Sequence, residues 1–343
     1  MLLQSYYRRS RFFGFDRENA VHIPDGFLNA RTCATTAVLS AGALAWAVRR
    51  TRLDLPRRKV PLMGLSAAFV FAAMMLNFPV AGGTSGHMVG GVLCSVLLGP
   101  SAAVLVITSV LIVQCLVFAD GGLLALGANI FNMAVICSVG GYYLYRLIYQ
   151  LMPNSRGRLA AVAFASWVAT VAASIVCAGE LAFSGTIAWP VAFSAMASVH
   201  MLIGVGEAVM TTLIILAISQ TRPDLLEAGA GAGALPRRTS DLMVFGLLIS
   251  LGLALFVSPF ACPWPDGLDH AAEVLGFSQR AHRLMPAPIP AYLFPGIKSA
   301  AVATSLAALV GTILAFVLAL VLSRILIPAS RKVKAIAGDR AGA

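Results

Sequence analysis

The chain has 343 residues, of which 59% are hydrophobic and only 11% are charged, and its formal net charge is +11. Because an ordinary soluble domain carries about 25% charged residues, this composition, with a mean hydropathy of +0.86, excludes a soluble globular protein. The lysines and arginines fall in short clusters between apolar runs, as orientation in a membrane requires, and this distribution argues against nucleic acid as a partner.

Apolar runs close to the ~20 residues needed to cross a bilayer recur along the whole chain. They predict nine membrane-spanning helices, at residues 32–48, 60–78, 87–98, 100–118, 127–150, 159–182, 191–219, 241–260 and 298–327. The third is short and precedes a Gly99-Pro100 break, so a hairpin of the third and fourth runs, giving eight helices, stays an alternative. The predicted fold class is an all-α polytopic membrane protein, with a seven-helix bundle followed by a two-helix module.

Basic residues lie in three of the predicted loops and in the tail. They are Arg49, Arg50, Arg52, Arg57, Arg58, Lys59, Arg146, Arg156, Arg158, Arg222, Arg237, Arg238, Arg331, Lys332 and Lys334. With nine spans all of them fall on one side, which the positive-inside rule makes cytoplasmic. The Val21 end is then outside and the C-terminus is cytoplasmic. The five histidines lie on or near the outer face, at positions 22, 87, 200, 270 and 282. For His270 and His282 we favour the interpretation that they are ordinary side chains at the membrane interface.

A Gly/Ala-rich stretch, LLEAGAGAGALPRR at 225–238, has the composition of a flexible linker. It predicts that a smaller C-terminal module is appended to the main membrane domain. The predicted parts are an extension at 1–20, a membrane domain at 21–222, a cytoplasmic linker at 223–240, a two-helix module with an outer loop at 241–330 and a basic tail at 331–343. The six cysteines show no paired spacing, so neither a disulfide framework nor a zinc site is indicated.

Residues 77–91 read NFPVAGGTSGHMVGG, and we expect His87 in this stretch to open a helix. A loop at membrane depth is tolerated only where it is buried in protein or lines a cavity. On this stretch alone, a simple helix connection with an interfacial histidine is an equally good interpretation.

Four further motifs make the pattern specific. They are VHIPDGFL at 21–28, FADGGLLALGANIFNMAV at 118–135, CAGELAFSG at 177–185 and HMLIGVGEAVMT at 200–211. With them the chain resembles the CbiM/NikM family, the substrate-binding membrane components of energy-coupling-factor (ECF) transporters for cobalt and nickel. Residues 239–327 resemble the PDGLE-type module, comparable to the small CbiN/NikN subunit, with the motif written PDGLD at 265–269.

The resemblance implies a metal site formed by N-terminal residues inserted into the helix bundle, with His87 as one ligand. A chain that begins at Val21 would offer its terminal amine, the amide of His22 and the imidazole of His22. Together with the His87 imidazole these are four nitrogens, a set that suits square-planar Ni(II). Nickel and cobalt use the same nitrogens, so the choice between them stays open.

Other polar residues are candidates for supporting this site. Ser85, Asn129 and Asn132 are expected to orient the imidazoles, since ligating histidines usually donate their second N–H to a neighbour. For the two asparagines, hydrogen bonding between helices is an equal alternative. His200 and Glu207, seven residues apart, share one helix face. A carboxylate inside an apolar run indicates function by default, with a structural partner as the alternative for Glu207.

His22 is the second residue of the translated protein only if translation starts at Val21. We therefore expect residues 1–20 to be an upstream extension that is absent from the functional protein. It lacks the apolar core and cleavage site of a signal peptide, and its arginines would lie outside the membrane, against the positive-inside bias. In the competing interpretation the extension is genuine, and His22 binds through its imidazole alone or after proteolytic trimming.

The expected function is capture of Ni(II) or Co(II) at the outer face of the bacterial cytoplasmic membrane. The ion is cargo, and no permanent cofactor is expected. The chain contains no GxxxxGK[ST], so it is not expected to be an enzyme. The resemblance implies separate ATPase subunits joined through a transmembrane coupling protein, with lipid and metal as the other partners. Gly64, Ala68 and Ala72 form a small-residue stripe that either docks this coupling protein or, the preferred interpretation, packs within the chain. The PDGLD loop is expected to assist metal loading from outside.

Three alternative functions predict other features. A secondary metal permease would need acidic or histidine residues along a transmembrane path, whereas the histidines gather at one face. A membrane metalloenzyme would need an HExxH pair or paired aspartates, and neither occurs in the sequence. A metal sensor would bind the ion without transporting it. Unlike the expected transport component, it would not co-purify with ATPases.

Overall fold

The computed structural model describes residues 22–226 and 239–327. The predicted extension, Val21, most of the linker and the basic tail lie outside the described residues. The helices are α1 (Ala30–Asp54), α2 (Val60–Met74), α3 (Gly91–Leu98), α4 (Pro100–Phe118), α5 (Leu126–Asn129, continued by the π-helical Ile130–Gly140 and by Gly141–Leu151), α6 (Ser155–Phe183), α7 (Trp189–Thr221), α8 (Thr239–Gly252, continued by the π-helical Leu253–Val257 and the 3-10 helical Ser258–Phe260), α9 (Gly267–Leu275) and α10 (Ala300–Leu326).

Within the described ranges, five segments are long and apolar enough to cross a membrane. They are Pro100–Phe118, Ser155–Phe183, Trp189–Thr221, Asp241–Phe260 and Ala300–Leu326. In α4, 83% of the apolar window is buried inside the protein, against 17% to 39% in the other four, so α4 is the central helix. The predicted class, a helical multi-pass membrane protein, is confirmed. The division into seven and two spans stays a prediction.

The third predicted helix differs from the structure at its start. His87 does not open a helix, because α3 begins only at Gly91. Ahead of it, β1 (Phe78–Val80) and β2 (Thr84–Gly86) form a small antiparallel hairpin, so this loop departs from the all-α expectation. Gly82 and Gly83 at the turn have φ values of +82° and +80°, which glycine adopts without steric cost.

The C-terminal helix packs against the main bundle. A Cβ built on Gly64 of α2 would lie 3.1 Å from the Cβ of Leu320 in α10. Ala68 and Ala72, which continue the small-residue stripe, are completely buried. The stripe therefore lets two helices approach closely, and it offers no free surface for a coupling protein. The interpretation of intramolecular packing holds, and the C-terminal module is integrated with the bundle.

Candidate metal site

His22 is buried, with 3% of its surface exposed. Its Nδ1 lies 2.8 Å from Oδ1 of Asp120, which is also buried. A carboxylate at this distance places the imidazole proton on Nδ1 and leaves a lone pair on Nε2. Within the part of the chain that the structure describes, this Nε2 is buried and has no hydrogen-bond partner. An imidazole held by a carboxylate with its other nitrogen free is the arrangement found in histidines that ligate metals.

His87 lies beside it, with the two ring centroids 6.0 Å apart. Both side chains line a cavity of about 90 Å³. Burial, and secondarily the neighbouring His22, lowers the pKa of His87 to about 4. At neutral pH the His87 imidazole is therefore uncharged, which is the form that binds metals.

The segment around His22 is extended rather than helical, and polar side chains hold it in place. Asn129 accepts a hydrogen bond from the Ile23 N–H at 3.0 Å and donates one to the Ile23 carbonyl at 3.1 Å. The buried Asp25 carboxylate accepts the backbone N–H groups of residues 123–125 at 2.8 to 3.2 Å. These N–H groups precede α5, so Asp25 supplies a negative charge at the helix N-terminus. The hydrogen bonds of Asn129 and Asp25 together fix the segment against the start of α5.

Glu207 performs a similar task next to His87. Its two carboxylate oxygens accept the N–H groups of Val89 at 2.7 Å and of Gly90 at 3.0 Å. Glu207 thus holds the two residues immediately before α3, where Gly90 has a φ of +73°, and the helix begins at Gly91. These hydrogen bonds to the backbone offset the free-energy cost of burying the carboxylate. They agree with a structural role, the alternative interpretation of Glu207.

The residues expected to orient the imidazoles have other partners in the described chain. The Ser85 hydroxyl donates to the Trp264 carbonyl at 2.8 Å. Asn132 donates to Glu180 at 2.8 Å, and Asn129 holds the Ile23 backbone. All three predicted residues line the cavity or its walls, but the role of orienting His22 belongs to Asp120.

His200 also lines the cavity, with Nδ1 2.8 Å from the Met196 carbonyl. The glycine of the PDGLD motif packs directly on it, because a Cβ on Gly267 would lie 2.7 Å from Cε1 of His200. Asp266 of the same motif lines the cavity and caps α9 by accepting the Asp269 N–H at 2.7 Å. Burial raises the pKa of Asp266. His200 and the PDGLD loop therefore form one wall of the cavity.

The C-terminal module reaches the site at two further places. The Ser85 N–H donates to the Pro265 carbonyl at 2.8 Å, and the Thr84 hydroxyl donates to the same oxygen at 3.0 Å. On the other side, the Tyr292 hydroxyl donates to Oδ2 of Asp120. The C-terminal module therefore contacts residues around the cavity on two sides.

Asp120, Asp266 and Tyr292 were missed by sequence reasoning. The two aspartates do lie in motifs that the sequence analysis singled out, FADGG and PDGLD. An acidic residue in an apolar setting was the available signal. Tyr292 carried none.

Among the described residues, no group of three or more His, Cys, Asp or Glu side chains is arranged to hold a metal. The backbone and terminal nitrogens of the predicted chelate are donors of another kind than these side chains. The chelate predicted with the Val21 amine and the His22 amide closes a small ring only through Nδ1. Since Nδ1 bonds Asp120, that chelate requires release of this hydrogen bond, whereas Nε2 is free as it stands.

The helical membrane fold and the two imidazoles that line one cavity are the features expected of a membrane component for metal uptake. Residues 22–225 match the CbiM family, the cobalt uptake substrate-specific transmembrane region, and residues 240–328 match the PDGLE domain. The chain belongs to the CbiM family and carries a PDGLE domain after it. The family expected from the motifs is confirmed.

Curated relatives share this two-part organisation. A putative fused nickel transport protein NikMN of Archaeoglobus fulgidus is 35% identical over 306 residues, covering 89% of this chain and 98% of that protein. The fused nickel transport protein NikMN of Rhodobacter capsulatus is 32% identical over 331 residues, covering 86% and 94%. A solved structure, a truncated transition metal transporter, is 35% identical with a TM-score of 0.53, covering 58% of this chain and 98% of that one.

Proposed function

We propose that the chain is the substrate-binding membrane component of an ECF-type importer, and that it captures Ni(II) or Co(II) at the outer face of the cytoplasmic membrane. One observation carries the proposal. The Nε2 atom of His22 has no hydrogen-bond partner among the described residues, and the His22 and His87 ring centroids are 6.0 Å apart.

The transport role is supported by the names of the relatives, which are called nickel or cobalt transport proteins. Energy comes from ATP hydrolysed by separate ATPase subunits, which act through a transmembrane coupling protein. The orientation, with the His22 end outside and the C-terminus in the cytoplasm, is supported by the distribution of arginines and lysines. The metal is cargo, and the protein itself is not an enzyme.

The PDGLD loop closes the cavity in this proposal. Its Pro265 carbonyl is held by Thr84 and Ser85, and Asp266 lines the cavity. A carboxylate at the cavity wall attracts a divalent cation, so the loop assists loading from the outside. Nitrogen ligands serve both metals, and the general affinity order favours nickel at equal geometry.

Calorimetric titration of the purified full-length protein with Ni²⁺ and with Co²⁺ tests the proposal. His22→Ala and His87→Ala are each expected to abolish high-affinity binding, because each removes an imidazole that no neighbour replaces, while the protein stays in the membrane. His270→Ala is the matched control and is expected to bind like wild type. Wild-type affinity in either of the first two variants would contradict the site.

Two measurements separate the proposal from its alternatives. Co-purification with ATPase subunits and ATP-dependent uptake of the metal are expected for the importer. Uptake that continues without ATPases would favour a secondary permease, and binding without any uptake would favour a sensor.

A further inference from the structure

We propose that the C-terminal module takes part in metal binding through Tyr292, a positioning residue that holds the His22 imidazole by way of Asp120. The inference deepens the proposed function and rests on it, because it concerns the same metal ion in the same cavity.

The contacts form a chain across the two parts of the protein. One oxygen of Asp120 lies 2.8 Å from Nδ1 of His22, at a separation of 98 residues in sequence. The other oxygen accepts the hydroxyl of Tyr292, at a separation of 172 residues. Asp120 follows directly after the central helix α4, so the carboxylate stands between the N-terminal segment and the C-terminal module.

Several contacts fix the position of the Tyr292 side chain. Its ring stacks on Phe118 with centroids 4.6 Å apart and planes inclined by 16°, and it meets Phe71 edge-on at 6.4 Å. The preceding loop is anchored by a hydrogen bond from the Ile289 N–H to the Val117 carbonyl at 2.9 Å. The segment therefore docks on the C-terminal end of α4, immediately beside Asp120.

The backbone at this position is unusual. Ala291 and Tyr292 have φ values of 53° and 56°, in the left-handed region. Residues with a Cβ rarely adopt this region, and such strain persists where surrounding contacts enforce it. Here the enforced conformation brings the tyrosine hydroxyl to Asp120.

The consequence for the metal ligand follows from the hydrogen bonds. A carboxylate that accepts the Nδ1–H of an imidazole fixes the tautomer and the ring orientation, and it raises the basicity of Nε2. With Tyr292 on its second oxygen, the Asp120 carboxylate is held against rotation. Docking of the module and presentation of the His22 Nε2 lone pair are thereby linked.

Tyr292→Phe in the full-length protein tests the link, because it removes one hydroxyl and keeps the stacked ring. Titration with Ni²⁺ alone is expected to show about tenfold weaker binding, the lower end of the effect of an outer partner of a metal ligand. Tyr143→Phe is the matched control, since Tyr143 is 61% exposed, and it is expected to leave the affinity unchanged.

A double-mutant cycle distinguishes positioning from a general loss of structure. Asp120→Asn alone is expected to weaken binding more than Tyr292→Phe. In the Asp120→Asn background, Tyr292→Phe is expected to add little, because its effect passes through the carboxylate. Additive losses in the double variant would overturn the inference.

The other outcomes are equally decisive. If wild type binds neither Ni²⁺ nor Co²⁺, the proposed function fails and the inference falls with it. If wild type binds and Tyr292→Phe binds equally well, only the inference fails. Tighter binding in Tyr292→Phe would mean that Asp120 competes with the metal for Nδ1, and it would also overturn the positioning role.

Discussion

The two histidines of the site are held in different ways. His22 is fixed by a side chain, since Asp120 bonds its ring directly. His87 is fixed through its backbone, because Glu207 binds the N–H groups of the two residues at positions 89 and 90. A substitution of Asp120 can therefore perturb the His22 imidazole directly. A substitution of Glu207 can affect the His87 imidazole only through movement of its loop.

The comparison extends to the partners of each half. The His22 segment is held by side chains from the start of α5 and by Tyr292 of the C-terminal module. The His87 loop is held by α7 and by the PDGLD loop. Both halves therefore depend on the C-terminal module, at opposite sides of the cavity.

The largest effect is expected for Asp25→Ala on the His22 side. The variant removes the acceptor of three backbone N–H groups. The N–H of Ala125 is buried, and a buried unsatisfied group costs about 1–3 kcal/mol. Thermal unfolding in detergent should show a large loss of stability, and Ni²⁺ binding should be lost because the segment carrying His22 is released. The matched control is Asp54→Ala, which removes only an exposed ion pair with Arg50 and is expected to change stability by at most about 1 kcal/mol. Equal stability of the two variants would contradict the anchoring role of Asp25.

A smaller effect is expected for Glu207→Gln on the His87 side. The amide retains one oxygen acceptor but turns an NH₂ group towards the second backbone N–H. Ni²⁺ affinity should fall roughly tenfold, as for other partners that support a metal ligand indirectly, while the His22–Asp120 hydrogen bond is untouched. Glu273→Gln, on the exposed side of α9, serves as control. An unchanged affinity in Glu207→Gln would show that the backbone after His87 tolerates movement.

The sequence was sufficient for the long apolar helices, because apolar length is a local property. The fourth predicted run, 100–118, coincides with α4, and the break at Gly99-Pro100 is present. The start of α3 was misplaced because Glu207, more than 100 residues away in sequence, holds residues 89 and 90 ahead of the helix. His22 and His87 were predicted from short motifs. The contacts of Asp120 with His22 and with Tyr292 span 98 and 172 positions, and no local pattern encodes such a contact.

The central claim is that two imidazoles, His22 and His87, hold the transported ion. X-ray absorption spectroscopy at the nickel edge on the Ni²⁺-loaded full-length protein measures this directly, through the multiple-scattering signal of coordinated imidazole. Two imidazoles are predicted for wild type and one for any nickel retained by His87→Ala. A wild-type spectrum with no imidazole, or one that His87→Ala leaves unchanged, would contradict the account.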